Sequence, residues 1–432
     1  MAKLRSSTWV LVAFVVLAAL AMFHKRRWKP LEVFDADPGG YYAPLPSVFI
    51  YHNLARADSL VALKKASRPN GHINIGLVAL PRGGYIAKYP LGVALADLPW
   101  FLGGHWYAGV SGYPQNGFSR PYQQIISIAG LVHAALGMLV LARLLRRYFN
   151  DQVTAWTLAA IGLGTNLLYY ASLESGMAHA PLFLWQAALL YCTARWYETP
   201  RSRWMLGIGL FMGLAVLTRP TEILFGSVPL LWGITSVAAA VARPAWLWQR
   251  RGQVLAAGVV VAAIVSLQLF FWKAATGHWY FYTYGNERFI FARPHLLEGL
   301  FSFRKGWLLY TPIAGVALLG LLGLRRLMAA AWLPVLCTTA IVVYVTFSWQ
   351  EWWYGSGFSA RPLISLYPLL ALSLASLIQH SRLTTRWTLL RPVLVLLILL
   401  NLWQTRQFSA GVISGEHNTA ERYVSKFFSS RP

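Results

Sequence analysis

The chain has 432 residues, is 57% hydrophobic and only 12% charged, and carries 20 Trp, 21 Tyr and 22 Phe. That composition excludes an ordinary soluble domain and reads as a polytopic membrane protein. The net charge of +24 would suggest nucleic acid in a soluble protein, but here Lys and Arg cluster at the ends of apolar runs, so no nucleic acid partner is expected.

The N-terminus, MAKLRSST followed by an apolar run over 9–23, has the layout of a signal sequence. It is expected to remain as an uncleaved anchor, because the basic HKRRWK follows where a cleavage region would be small and polar. Taking about 20 apolar residues per crossing, eleven spans are expected: 8–23, 122–145, 152–172, 178–197, 204–218, 222–242, 253–274, 306–324, 329–348, 362–379 and 389–404. The basic connectors RLLRRYFND, RWYETPRSR, RPAWLWQRRG, Arg325 with Arg326, and HSRLTTRWTLLR fall on alternate sides of this series. They share one side with Lys3 and Arg5, which the positive-inside bias makes cytoplasmic. Segment 87–106 is apolar enough to compete for a span, but crossing there would carry Arg143, Arg146 and Arg147 outside. With Pro90, Asp97 and Pro99 inside it, it is expected to lie along the membrane surface.

The expected fold is therefore all-α, a single transmembrane domain over 1–404 with external loops at 24–121 and 275–305 and a short external tail at 405–432. Cys192 and Cys337 both sit in apolar runs, which excludes a disulfide framework and argues against a thiolate metal site. No repeat of 20 to 50 residues is present, so a solenoid is not supported.

Every polar constellation falls on the external side of this topology. In FDADPGGYY, Asp35 and Asp37 form an Asp-x-Asp pair. Such a pair can hold a divalent cation, Mg or Mn, or can supply a general base worth about 10²- to 10⁴-fold in rate. The plain alternative is a solvated turn at Pro38, Gly39 and Gly40. Glu174 and His179, in LESGMAHA, lie at a span mouth, where ionisable groups are functional candidates, although a His there can also just bond a carbonyl. His133, deep in its helix, is expected to serve packing. Arg219 and Glu222 flank Pro220 at a break between helices; they either bind ligand charge or cap the two helices. The loop from 277 to 312 combines aromatics with Arg288, Arg293, Arg304 and Lys305, and Arg304 with Lys305 suits a phosphate. In QEWWYGSGFSAR, Trp352, Trp353 and Tyr354 offer flat faces for a sugar beside Arg361, against the competing reading of an interfacial aromatic belt.

Taken in order, the N-terminal anchor, the first-loop Asp pair, KYPLG, SGMAHAPLFLWQAALLY, LTRPTEILF, LFSFRKGWLLYTPI and WWYGSGFSARPLISLYPLLAL resemble the GT-C class of membrane glycosyltransferases. The nearest look is the family-39, protein-mannosyltransferase and aminoarabinose-transferase type. The resemblance covers most of the chain up to about residue 380. It implies a polyprenyl-phosphate-linked sugar as donor, an external acceptor hydroxyl on a lipid, polysaccharide or protein, and a first-loop base, Asp35 by family position or Asp37 as its neighbour. It also implies a bacterial inner membrane with the active site on the periplasmic side. No sizeable external domain is expected after the last span, which departs from the best-studied relatives and puts a protein acceptor in doubt. The rival readings are a transporter or flippase of lipid-linked saccharides, and a polysaccharide polymerase or ligase. A transporter would be expected to place its polar groups near the bilayer midplane, whereas these concentrate at span ends.

Overall fold

The computed structural model describes residues 5–25, 28, 32–54, 57–67, 76–81 and 83–431. Lys3 and, within HKRRWK, Arg26, Arg27 and Lys29 lie outside the described residues.

The chain is an integral membrane protein built from helices. Among the described residues, six helices are long and apolar enough to cross a bilayer: Ser6–Lys25, Arg120–Tyr148, Arg251–Thr276, Ala329–Phe347, Arg361–Leu383 and Trp387–Ser409. The other expected spans map onto shorter, interrupted or less apolar helices. In chain order, α1 (Ser6–Lys25) leads into the first loop, which carries α2 (Asp37–Tyr42), α3 (Pro44–Phe49), α4 (Asp58–Ser67), the hairpin β1 (Leu77–Ala79) and β2 (Tyr85–Ala87), and α5 (Gly92–Val110). The strands pair antiparallel with Val78 opposite Ile86. The bundle continues with α6 (Arg120–Tyr148), α7 (Asp151–Leu163), α8 (Leu167–Ser172), α9 (His179–Glu198) and α10 (Ser202–Thr218).

Within the loop, α5 packs antiparallel along α6. Asp97 approaches His133 at 4.0 Å, and His105 Nδ1 meets the Tyr122 hydroxyl at 2.5 Å, so advancing along α5 moves backwards along α6.

The expected span over 222–242 is not one helix. It opens as a 3-10 turn (Pro220–Gly226), passes through α11 (Ser227–Leu231), breaks at Gly233 with φ of 77°, and restarts as α12 (Val237–Trp248), which buries none of its residues. Next comes α13 (Arg251–Thr276), which packs closely on α10 because Gly209 and Gly213 are four apart; a Cβ at either would run into Ala257, Val261 or Ile264. In lipid, small residues at such spacing let two backbones approach and gain van der Waals contact.

The remainder comprises α14 (Leu296–Phe301), α15 (Trp307–Tyr310), α16 (Pro312–Leu319), α17 (Leu321–Leu327), α18 (Ala329–Phe347), a 3-10 turn (Arg361–Leu366), α19 (Tyr367–Leu383), α20 (Trp387–Ser409) and α21 (Ala420–Ser425). The turn and α19 form the centre of the bundle, with 89% of their apolar window buried against 17% for α13 and 22% for α1 and α20, which face outward.

Helix ends meet in two sets. At one end Ser7, Arg146 and Asp151 cluster, Arg147 pairs with Glu198, and Trp196 donates to Gln253. At the other end Lys25 reaches the Ser409 carbonyl, Leu91 N–H reaches Gln268, and Arg219 reaches the Pro362 carbonyl. The basic connectors gather at the first end and the polar constellations at the second.

Candidate active site

The site begins with a glycine contact. A Cβ on Gly40 would run into the Gly76 carbonyl, so α2 lies directly against the start of the hairpin. That carbonyl accepts the Lys88 N–H at 2.9 Å, which fixes the exit of β2. The next residue, Tyr89, stacks on Tyr41 with centroids 4.2 Å apart and donates its hydroxyl to Asp37 Oδ1 at 2.5 Å. On the other side, Arg361 Nη2 donates to Asp37 Oδ2 at 2.6 Å. Burial alone would raise the Asp37 pKa, but the charge of Arg361, the Tyr89 hydroxyl and the charge of Lys88 outweigh it and hold the carboxyl below its usual range. Asp37 is thus an ionised carboxylate.

Arg361 is delivered by a folded-back segment. Tyr354 and Ser359 sit at φ of 53° and 56° and Gly355 at 67°, left-handed positions that need outside support in residues other than glycine. The Tyr170 hydroxyl supplies it, accepting the Phe358 N–H at 2.8 Å and donating to the Phe358 carbonyl at 3.2 Å. Asn166 also donates to that carbonyl, Ser359 bonds Thr311, and the buried Lys305 ammonium donates to the Gly357 carbonyl.

Beside Arg361 lies a second polar group. Arg219 donates through Nη1 to Glu222 at 3.3 Å and to the Pro362 carbonyl at 3.0 Å, and its Nη2 lies 3.5 Å from His179 Nδ1. Gln186 donates to the other Glu222 oxygen at 2.8 Å. The His179 ring meets Tyr170 edge to face at 4.5 Å, and its Nε2 is buried without a partner among the described residues. Asp37, Arg361, Arg219, Glu222 and His179 are therefore brought together, with Lys305 behind the loop that carries Arg361.

Other expected site residues stand apart. Asp35 lies across Ala36, whose φ of 52° turns the chain, and its Oδ1 accepts the Ala36 N–H. Glu174 accepts from Tyr169 at 3.5 Å and lines a crevice with Lys25 and Trp28. Arg304 stacks on Trp353 at 3.7 Å and donates to the Glu416 carbonyl, which withdraws it from Asp37. Trp352 is buried against His295 and Trp353, and the Tyr354 hydroxyl is spent on the Thr346 carbonyl, so this trio builds the loop rather than an open platform.

Sequence reasoning missed Lys88, Tyr89 and Tyr170. The first two lie in KYPLG, where the motif itself was the signal; Lys88 pairs with Glu287 at 2.9 Å over the Tyr284 ring. Tyr170 carried none, being one apolar-looking residue within a span. The surroundings of Asp37 do not fit a divalent cation. Its oxygens are taken by Tyr89 and Arg361, other cations flank it, and among the described residues no group of three or more His, Cys, Asp or Glu side chains could hold a metal ion.

Residues 120–272 match the family model described as dolichyl-phosphate-mannose-protein mannosyltransferase. No curated protein matches the chain by sequence. The fold is similar to that of ArnT from Cupriavidus metallidurans, solved in the apo state (TM-score 0.53, 15% identity, 94% of this chain and 65% of ArnT). ArnT bound to undecaprenyl phosphate gives a TM-score of 0.52 at 16% identity with the same coverage. The archaeal oligosaccharyltransferase AglB from Archaeoglobus fulgidus, in complex with an inhibitory peptide and a dolichol-phosphate, gives 0.50 at 13% identity, over 99% of this chain and 60% of AglB. The chain thus spans 65% or less of the length of these structures. Its fold is that of the GT-C membrane glycosyltransferases, the class its motifs resemble.

Proposed function

We propose that this chain transfers a sugar from a polyprenyl-phosphate donor to an acceptor hydroxyl, at the bundle end that holds Asp37 and on the external side of a bacterial inner membrane. The observation that carries this is one ionised carboxylate, Asp37, set among cations, with Arg361 at 2.6 Å, Lys88 close enough to lower its pKa, and Arg219 bonded to the Pro362 carbonyl next to Arg361. A hydrolytic metal site would gather carboxylates; a carboxylate ringed by cations suits a base working beside a phosphate. One of the ArnT structures and the AglB structure named above hold lipid phosphates, and the same class of ligand suits this cationic site.

In this reading Asp37 accepts the proton of the acceptor hydroxyl as its oxygen attacks the anomeric carbon. The bond from that carbon to the phosphate oxygen breaks, and its electron pair leaves on the lipid phosphate. Arg361 stabilises the charge that develops there, and Lys88 and Arg219, themselves bonded to Glu287 and Glu222, add only to the positive field around it, a preorganised electrostatic contribution. Tyr89 holds the base in orientation. Arg304, bound to Glu416, has no part in this step, and Lys305 acts through Gly357. Single displacement inverts the anomeric configuration.

The test is transfer by the purified protein from a panel of radiolabelled polyprenyl-phosphate sugars into total lipid extract. Wild type is expected to label one acceptor, and Asp37→Asn to lose about 10²-fold or more in rate, with Asp35→Asn much less affected. Equal transfer by Asp37→Asn would remove Asp37 as base. Movement of intact lipid-linked saccharide across vesicles with no transfer would favour the transporter reading.

A further inference from the structure

Among the cations near Asp37, Arg361 is the least committed. A guanidinium carries five N–H donors, and Arg361 uses Nη2 on Asp37 Oδ2 while its other guanidinium nitrogens bond no described residue. Arg219 is spent on Glu222, the Pro362 carbonyl and His179, Arg304 on Glu416, and Lys305 on Gly357. Lys88 is held by Glu287.

The same arginine masks the carboxylate. Asp37 is engaged on both oxygens, by Tyr89 at Oδ1 and by Arg361 at Oδ2. A hydroxyl proton is best taken by an oxygen that no cation is holding. The contact between Asp37 and Arg361 is a single N–H bond, whereas a phosphate offers an arginine two parallel charge-assisted bonds and more negative charge.

The backbone around Arg361 is built as a fixed pivot. Its stem lies on Gly357, where a Cβ would run into Arg361 Cδ and the Tyr170 hydroxyl. Tyr170, Asn166 and Lys305 hold the loop before it, so the guanidinium can turn while its base stays in place.

We propose that Arg361 is a shared cation, which pairs with Asp37 until a polyprenyl phosphate enters and then turns to that phosphate, so that donor binding uncovers the carboxylate for the acceptor proton. This rests on the glycosyl-transfer reading and adds an order to it, donor before acceptor. It also makes Asp37 a competitor of the donor for one guanidinium.

The experiment is titration of the full chain in detergent with polyprenyl phosphate, comparing wild type, Asp37→Asn, Arg361→Gln and the double variant, with melting of each as a fold control. Removing the competitor is expected to tighten phosphate binding by about fivefold or more. Arg361→Gln weakens binding, and in the double variant the gain from Asp37→Asn disappears. Asp37→Ser gives the same sign and stands in if the Asn variant fails to fold. If wild type binds phosphate but neither Asp37 variant binds it more tightly, Arg361 is a fixed partner and the sharing is wrong, while glycosyl transfer stands. If wild type binds no polyprenyl phosphate, the functional reading falls and the sharing with it.

Discussion

At the scale of the residue, Lys305 makes a testable case, because its ammonium is buried and, among the described residues, has no carboxylate partner. Burial, reinforced by the charge of Arg361, brings its pKa down to about 7, whereas an unfolded chain would hold the proton to about 10.4. Between those values the unfolded state binds more protons than the folded one, so stability rises with pH across that window. Below pH 7 both states are protonated and the cost of burying the charge is fully present. Melting in detergent is expected to show this rise between pH 7 and 9, and Lys305→Met to flatten it; an unchanged slope would mean that the ammonium reaches solvent. The same residue shows what the sequence could carry. Basic residues before a span were legible as a cationic feature, but that Arg304 turns to Glu416 and Lys305 to Gly357 depends on contacts across 112 and 52 residues. Asp37 was legible as a candidate base, whereas its partner Arg361 lies 324 residues away.

At the scale of the element, hydropathy located the apolar runs but averaged across their breaks. Gly164, Thr165 and Asn166 part α7 from α8, and the Asn166 side chain is thereby freed to bond Phe358 and Tyr367. The break was invisible because its flanks are apolar, yet it supplies part of the clamp on the Arg361 loop. The run expected to span 222–242 illustrates the other failure. In α12, Arg243 bonds the Tyr197 hydroxyl and the Trp232 carbonyl, and Trp246 stacks on Tyr197 at 5.0 Å. The opposite face leaves Val237, Val241 and Trp248 exposed at 82%, 75% and 70%. A helix with its arginine and one tryptophan turned to the protein and its aliphatic face outward belongs in the membrane interface rather than across the bilayer. A fluorophore on Val241→Cys, with Cys192 and Cys337 replaced by Ala and the protein in nanodiscs, is expected to be quenched by brominated acyl chains. Quenching by aqueous iodide alone would put that face in water.

At the scale of the molecule, the chain closes on itself behind the site. Asn401, Gln404 and Gln407 repeat every third residue on α20 and are buried. Asn401 donates to the Tyr310 carbonyl at 2.7 Å, Gln404 to the Tyr423 hydroxyl at 2.8 Å, and Gln407 to the carbonyls of Lys426, Phe427 and Ser429. Asn418 completes the seam, donating to the Tyr310 hydroxyl and the Phe303 carbonyl. The segment expected as a short tail over 405–432 is therefore split: α20 continues to Ser409, and the rest folds back over α15 against the loop that ends in Arg304 and Lys305. A buried donor stripped of its acceptor costs about 1–3 kcal/mol. Ending the chain at residue 410 would strand Gln407 and the Trp403 indole, which donates to the Phe427 carbonyl at 2.7 Å. The truncated protein is expected to melt lower by an amount equivalent to about 2 kcal/mol or more, and Gln407→Ala to reproduce part of that loss. Because Arg304 would lose Glu416, the truncation should also free a cation beside the Arg361 loop and tighten polyprenyl phosphate binding at low salt. Melting and titration separate the two roles: lower stability with unchanged phosphate affinity would make the seam structural only, and unchanged stability would mean that it does not hold the bundle.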